Sequence, residues 1–211
     1  MTRPAAVSPP DGSLTPFCRA IAARDTAAAL SLVTPELAHA RVDTGDFWLA
    51  AIDHHVYGGD TALHVAAASH AVRVVRALIA AGADVAARNR RGAAPLHYAA
   101  DGQPGTPGWD PAAQAEAVTA LLQAGADPNA TDKSGVTALH RAVRTRCAAA
   151  VAALLAGGAD PARPNRSGST PRSLATRTTG RGGSGSAAAR AQQREILDLL
   201  GLPLARPSAR P

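Results

Sequence analysis

Residues 60–92 read DTALHVAAASHAVRVVRALIAAGADVAARNRRG, and much of the remaining chain can be aligned to this stretch. Its opening, Thr-Ala-Leu-His at Thr61, returns as Ala-Pro-Leu-His at Ala94, as Thr-Ala-Leu-His at Thr137 and in degraded form as Thr-Pro-Arg-Ser at Thr170. The steps between these openings are 33, 43 and 33 residues. A period of this length indicates a supersecondary unit that stacks on copies of itself.

A second marker supports the same alignment. The triplet Gly-Ala-Asp recurs with steps of 43 and 33 residues, at Gly82, Gly125 and Gly158. Within the quoted stretch, the apolar spacing predicts a first helix over 62–69 and a second over 72–81. A glycine after the second helix is typical of a left-handed C-terminal cap. Residues 84–91 are then expected to form a projecting turn.

The composition suits closely packed small helices. Hydrophobic residues make up 46% of the 211-residue chain but aromatic residues only 3%, so the apolar mass is mainly Ala, Leu and Val. The formal net charge is +6, and Lys133 is the only lysine. This charge fits either a solvated basic surface or an acidic partner. Cys18 and Cys147 are far apart and lack metal-ligand spacing, which predicts two buried thiols in a reducing compartment.

The ends and the hydropathy exclude some classes of protein. The N-terminal residues lack the apolar run of a signal peptide, and no stretch is long and apolar enough to predict a membrane span. We therefore expect a cytoplasmic protein. The Ala- and Arg-rich composition is typical of a bacterium with a GC-rich genome.

The alignment divides the chain into a central array and atypical ends. Proline and glycine predict an insert between the two helices of the second unit, over 101–111. Before the array, residues 43–57 do not fit the period. We expect a short helix there, capped by Asp43 or Thr44 and ending at Ile52, that carries Phe47 and Trp48 over the start of the stack. The predicted segments are a disordered stretch 1–15, a helical cap 16–58, repeats 59–91, 92–134, 135–167 and 168–200 (a cap with a Gly-rich insert), and a loose tail 201–211.

The motifs resemble those of the ankyrin-repeat family over about 17–200, most strongly over 61–168. The residues that carry the resemblance are Thr61, Leu63, His64, Gly82, Pro95, Leu96, His97, Gly125, Thr137, Leu139, His140 and Gly158. The resemblance implies an all-α solenoid of helix-turn-helix units with projecting β-hairpin loops. It also implies that the motif histidines are structural and that the protein is a binding scaffold, not an enzyme, without cofactor or metal.

Three departures from the family pattern are visible. Ala94 replaces the threonine that opens the first helix of a repeat. His70 and Arg146 stand where the family usually has the glycine that turns the chain between helices. Ser173 replaces the motif histidine in the last repeat, as fits a terminal cap.

The resemblance places a partner on the concave side, at the hairpin tips and the far ends of the first helices. The tips are mostly basic, so we expect an acidic protein or peptide, bound by a monomer, with nucleic acid and membrane as unlikely partners. Trp109 in the insert either anchors a partner or folds back on the stack. The candidate residues are Tyr57, Asp60, Ser69, Arg90, Arg91, Trp109, Lys133, Ser134, Arg144, Thr145, Arg166 and Ser167.

Two other hypotheses remain open at this point. Arg144, Arg146 and the Gly-rich loop 180–186 could form a sensor of a small phosphate-bearing anion. The cluster at 53–55, Asp-His-His, has metal-ligand chemistry together with His70, but two adjacent histidines on a helix would diverge and could not easily face one ion.

Overall fold

The computed structural model of the chain describes residues 14–43, 45–104, 106, 108–176 and 187–203. Within these residues the chain forms short α-helices, one 3-10 turn and one two-stranded sheet. The elements are α1 Thr15–Ala22, α2 Thr26–Ser31, α3 Pro35–His39, β1 Phe47–Leu49, the 3-10 turn Ala50–Ile52, β2 His54–Val56, α4 Ala62–Ala68, α5 Val72–Ala80, α6 Pro95–Ala99, α7 Pro111–Gln123, α8 Ala138–Thr145, α9 Ala148–Ala156, α10 Pro171–Ala175 and α11 Ala187–Leu199.

The helices pack in two parallel rows. The inner row is α1, α4, α6, α8 and α10, and each helix of it contacts the next. The outer row is α2, α5, α7, α9 and α11, which also contact one another in that order. Each of the three central pairs of helices thus lies between two neighbouring pairs, which is the architecture expected of a solenoid.

Each helix of the three central pairs contributes one buried leucine to the core between the rows. In the three central pairs these side chains are at most 2% exposed, and burying each one contributes about 1.5–3 kcal/mol. At the C-terminal end Ile196 of α11 fills the equivalent space. The leucines are Leu63, Leu96 and Leu139 in the inner row and Leu78, Leu121 and Leu154 in the outer row.

The motif histidines bridge successive pairs. In α4 the His64 ring accepts the backbone N–H of Thr61 at Nδ1 (3.1 Å), so the proton is on Nε2, which donates to the carbonyl of Ala93 in the next unit (3.1 Å). His97 repeats this arrangement with Val136, and His140 with Ser169. In the last unit the Ser173 hydroxyl takes over the acceptor role toward Thr170, but it is too short to reach further.

The turn between the two helices of a pair is left-handed in three places. Arg24, His70 and Arg146 have φ values of 55°, 54° and 60°. This conformation costs an L-residue about 1–2 kcal/mol relative to the right-handed one, which explains why glycine is usual here. His70 offsets the cost because its Nε2 lies 3.2 and 3.0 Å from the carbonyls of Ala99 and Asp101.

Residues 43–57 do not form the helix that we predicted. Residues 46–57, here called the finger, contain an antiparallel pair in which Phe47 faces Val56 and Leu49 faces His54. The 3-10 turn closes the pair, and Asp53 ends that turn in the left-handed conformation (φ 50°). The alternating burial of β1, with Phe47 and Leu49 inside, favours the strand over an amphipathic helix.

The finger lies over the inner row. Its 3-10 turn contacts α1, and its His54 ring packs 4.3 Å from the ring of Tyr98 on α6, so the finger crosses α4, which lies between them. The insert of the second unit also meets the finger, because the Gln103 amide donates to the carboxylate of Asp53. Every residue of α4 and of α6 is buried as a result.

The ends of the chain and the repeat loops also differ from the prediction. Leu14 and Thr15 are buried, so they belong to the packed fold although we predicted disorder up to residue 15. The rest of that segment, the Gly-rich loop 180–186 and most of the tail lie outside the described residues. The described loops of the repeats are tight turns with isolated bridges, not β-hairpins, and the two strands present are those of the finger. No helix in the described ranges is both long and apolar enough to cross a membrane.

Candidate functional site

The tips of three loops share one local structure. Each tip begins with Asn or Asp, whose Oδ1 accepts two backbone N–H groups further along the tip, and each ends in a glycine with φ between 74° and 76°. The side chain therefore replaces backbone partners and fixes the tip before any ligand arrives. Sequence reasoning missed these residues, although their spacing of three before the glycine is a usable signal. They are Asn89, Asp132 and Asn165.

Backbone hydrogen bonds join each tip to the next. The N–H of one tip donates to a carbonyl of the preceding tip at 2.9–3.0 Å, so four tips form one continuous ladder. Since these are backbone groups, the ladder holds the tips at a fixed spacing regardless of side chains. The donor and acceptor pairs are Arg90 to Gly58, Lys133 to Arg91 and Arg166 to Ser134.

Two further arginines, Arg41 and Arg88, hydrogen-bond to carbonyls of successive loops next to the ladder. They were not among the residues predicted from the sequence. The Nη1 of Arg41 donates to the carbonyls of Gly59 (3.2 Å) and Arg88 (3.1 Å). The Nη1 of Arg88 in turn donates to the carbonyls of Gly92 (2.8 Å) and Thr131 (2.7 Å). Each guanidinium thus ties two successive loops together by charge-assisted bonds.

The exposed side chains of the tips are predominantly basic. Arg90, Lys133 and Arg166 occupy the same position in three successive tips, and all three are exposed. Arg90 already binds the carboxylate of Asp46 in the finger, although its side chain remains 57% exposed. Arg91, next to it, is also exposed. The cations available to an incoming acidic group are therefore mainly Arg91, Lys133 and Arg166.

Asp60 is not part of this surface, contrary to our prediction. Its carboxylate is fully buried and accepts hydrogen bonds from the backbone of Tyr57 (2.7 Å), the amide of Asn89 (2.8 Å) and the hydroxyl of Tyr98 (2.7 Å). Burial raises the pKa of Asp60 above its ordinary value, and these donors oppose that shift. Asp60 joins the finger, a tip and α6 from inside.

The described architecture agrees with comparisons to known families. The family model described as an ankyrin repeat matches residues 58–90 and 91–133, and a second, described as ankyrin repeats in many copies, matches residues 121–175. Together they span 58–175, which is more than half of the chain. The chain belongs to the ankyrin-repeat family. No curated protein matches it. Ankyrin repeats are generally protein-interaction modules and are typically non-catalytic.

The remaining candidates in these ankyrin repeats occupy different environments. Ser69 is half-buried, and its hydroxyl donates to the carbonyl of Ala66. Thr145 is half-buried and donates to the carbonyl of Arg141, whereas Arg144 is exposed at the end of α8. Ser134 and Ser167 are exposed on the tip ladder, and Tyr57 is half-buried at its start. The exposed set therefore lies along the tips and at α8, not along α4.

Trp109, in the insert of the second ankyrin repeat, packs against the stack. The ring is partly buried against the core, and its Nε1–H donates to Gln114 Oε1 (2.9 Å) on α7. The Gln114 amide donates in turn to the carbonyls of Ala99 and Ala100. Trp109 therefore folds back on the stack and fastens the insert to it.

The parts of the other two hypotheses do not come together in the described residues. Arg146 is buried, only 3% exposed, while Arg144 points to solvent, and the Gly-rich loop 180–186 lies outside the described ranges. His54 and His55 are adjacent on a strand and lie on opposite faces of the finger, because His54 pairs with Leu49 and packs inward. No group of metal-ligating side chains in this part of the chain could hold an ion.

Proposed function

We propose that this ankyrin-repeat protein is a non-catalytic, monomeric scaffold that binds an acidic protein or peptide along its ladder of tips. The observation that carries the proposal is the continuous backbone bonding of four tips, which presents exposed cations at a repeated position. A rigid row of this kind needs little reordering on binding, and preorganisation reduces the entropic cost of association.

The proposed surface differs from a fully concave one. The finger and the insert already cover the first helices of the first two repeats, so a partner has no access to α4 or α6 there. The tips and the exposed end of α8, which carries Arg144, remain. We therefore infer that the partner lies along the tips and reaches the inner row only at the third repeat.

Charge reversal on the ladder tests this function. The variant Arg91→Glu/Lys133→Glu/Arg166→Glu changes three exposed tip side chains. A matched control, Arg73→Glu/Arg190→Glu/Arg194→Glu, applies the same change in charge at three exposed positions on the outer helices α5 and α11. Tagged wild type and both variants would be used for affinity capture from the native lysate, with quantitative mass spectrometry and circular dichroism of each bait.

We expect a protein that wild type and control capture and that the tip variant loses, with capture by wild type weakened at higher salt. Size-exclusion chromatography with light scattering would test the monomeric state. The same set of proteins captured by all three baits would refute the proposed surface.

A further inference from the structure

The outward face of the finger carries a row of three rings. Trp48 and His55 are cross-strand partners with ring centroids 5.6 Å apart, and the ring of Tyr57 stacks on His55 at 5.0 Å. All three side chains are half-buried, so part of each ring is open to solvent. We call Trp48, His55 and Tyr57 the ring row.

The ring row is not explained by the core. The period of two along each strand places Phe47, Leu49 and Val56 on the inward face, where they are at most 5% exposed. Trp48 does not belong to this core, whereas Tyr57 is partly buried against it. The chain has only two tryptophans and two tyrosines, and one of each lies in this row. A cluster of partly exposed aromatic side chains beside cations is typical of an interface.

The ring row continues into the basic tips. The guanidinium carbons of Arg90 and Arg91 lie 5.6 and 5.0 Å from the Tyr57 ring centroid. The backbone bond from Arg90 to Gly58 connects this end of the finger to the ladder. Asp46 binds Arg90 and leaves Arg91 as the cation without a carboxylate partner among the described ion pairs. The rings and the two guanidinium groups thus form one continuous strip at the start of the ladder.

We propose that this strip binds an extended acidic peptide that carries aromatic side chains at alternate positions. In an extended peptide alternate side chains project to one side, roughly 6.6 Å apart, which is close enough to the ring spacing for aromatic side chains to stack on the row. Carboxylates further along the same side of the peptide then reach Arg91 and the next tips. The proposal rests on the proposed function and adds to it the feature that the partner must carry.

Two labelled peptides of equal charge separate this proposal from a purely electrostatic surface. The Glu-Phe peptide has the sequence Phe-Ser-Phe-Ser-Glu-Ser-Glu-Ser-Glu, which places both phenylalanines and all glutamates on one side of an extended chain. The Glu-Ser peptide has serine in place of both phenylalanines, and binding would be followed by fluorescence anisotropy. We expect the Glu-Phe peptide to bind about tenfold more tightly, since each aromatic pair adds a modest contribution. Equal affinities would overturn the ring-row proposal and leave the acidic-partner function intact, whereas binding of neither peptide would count against both.

Variants assign the preference to the rings. Trp48→Ala/Tyr57→Ala is expected to remove the tenfold preference, and Trp48→Phe/Tyr57→Phe, which keeps both rings, is expected to retain it. A preference that survives ring removal would overturn the proposal. If the alanine variant does not fold, Trp48 fluorescence in a Trp109→Phe background gives an independent readout: quenching by the Glu-Phe peptide supports contact at the row, and no change contradicts it.

A single-stranded nucleic acid is the competing occupant, because bases also stack on aromatic rings beside cations. A labelled twelve-nucleotide oligothymidine would be measured in the same assay and buffer. Tighter binding of this oligonucleotide than of the Glu-Phe peptide, with loss on ring removal, would replace the peptide by nucleic acid and overturn the proposal.

Discussion

The inner helices α4 and α8 start from the same four-residue motif and end in different surroundings. The motif is Thr-Ala-Leu-His, with its threonine at the N-cap (Thr61 and Thr137), and both helices bury its leucine completely. Yet α4 is buried throughout, whereas α8 leaves Arg144 exposed. The repeat motif therefore determines the core side of an inner helix, and the insertions determine whether its other side is available.

The covered region is also more polar inside than the open one. Under the finger lie Asp60 and Tyr98, whose ring packs on His54 of the finger, and beside them Arg141 binds the carboxylate of Asp101 (2.9 Å). Such groups are stable only when they are paired, since unpaired polar groups are costly to bury. The finger is thus held by a network of hydrogen bonds, ring contacts and ion pairs whose side chains can be removed one at a time by substitution.

The largest effect is expected for Tyr98→Ala. This change removes a fully buried ring that packs on His54 and donates to Asp60, and should cost about 3–5 kcal/mol in the free energy of unfolding. Leu139→Ala in the open region is the matched control, at about 2–5 kcal/mol. Denaturant unfolding would give both values.

Hydrogen exchange distinguishes these two variants. Tyr98→Ala should release the finger locally, so that amides of 47–56 exchange faster than those of α9, whereas Leu139→Ala should leave the finger protected relative to the rest. Equal finger protection in both would show that the finger does not depend on Tyr98.

The second prediction compares two ion pairs. Arg141, with a side chain 14% exposed, binds Asp101 and Asp132, and Arg141→Ala should cost about 3 kcal/mol because it leaves two carboxylates without their cation. Arg76 and Glu116 form an outer pair whose side chains are 59% and 50% exposed, and Arg76→Ala should cost about 0.5 kcal/mol or less. Thermal or urea unfolding would measure the difference, and similar costs would mean that Arg141 is as solvated as Arg76.

Acid should destabilise the covered region. Burial lowers the pKa of His54, His64 and His97 from 6.5 to about 4. Between these values the unfolded chain binds a proton that the folded chain does not, so stability falls as the pH falls from about 6.5 to 4, by about 1.4 kcal/mol per pH unit for each ring. Asp60 works in the opposite direction, because protonation relieves its burial cost.

His54 can be isolated from the other two rings. His54→Phe should reduce the slope of stability against pH by about one ring's share, as measured by urea unfolding across this window. An unchanged slope would show that the His54 ring becomes protonated while the finger stays in place.

The smallest difference between two matched variants, in the free energy of unfolding, is expected at the tips. Gly135 and Gly168 have φ values of 74° and 76°, so alanine costs about 1–2 kcal/mol at either position. A Cβ on Gly135 would also lie 2.8 Å from the backbone nitrogen of Arg166, whereas a Cβ on Gly168 would meet nothing within 4 Å. Gly135→Ala should therefore cost about 1 kcal/mol more, the contribution of the ladder bond it disturbs. Equal costs in chemical unfolding would indicate that the ladder can shift.

The regular part of this fold could be predicted from the sequence, and the finger could not. Recurrence set the helices of the first full repeat to within one residue at each end, over 62–68 and 72–80. Residues 43–57 have no second copy in the chain, and their apolar residues suit a short helix as well as a strand. Contact with Tyr98 and α1 accompanies the strand, and tertiary contacts of this kind are not visible in a local pattern.

The candidate site was predicted unevenly for a similar reason. Exposure of Arg91, Lys133 and Arg166 follows from their place in the repeat, so the repeat alignment predicted that these side chains are exposed. Asp60 occupies an equally tip-like position, but its burial depends on donors from Asn89 and Tyr98, which lie 29 and 38 residues away. The ring row depends on the strand alternation of the finger, and a helical interpretation of that segment conceals it.

The finger also joins helices that are not neighbours in the inner row, since it contacts α1 and α6 with α4 between them. In a linear array each unit contacts only the next, so tension applied to the chain ends peels units away one after another. Because the finger spans α4, we expect the elements from α1 to α6 to unfold together, whereas the units from α8 to α11 can unfold one at a time. Under tension we therefore expect the N-terminal half of the repeat stack to resist unfolding as a unit, whereas the C-terminal half yields in separate steps.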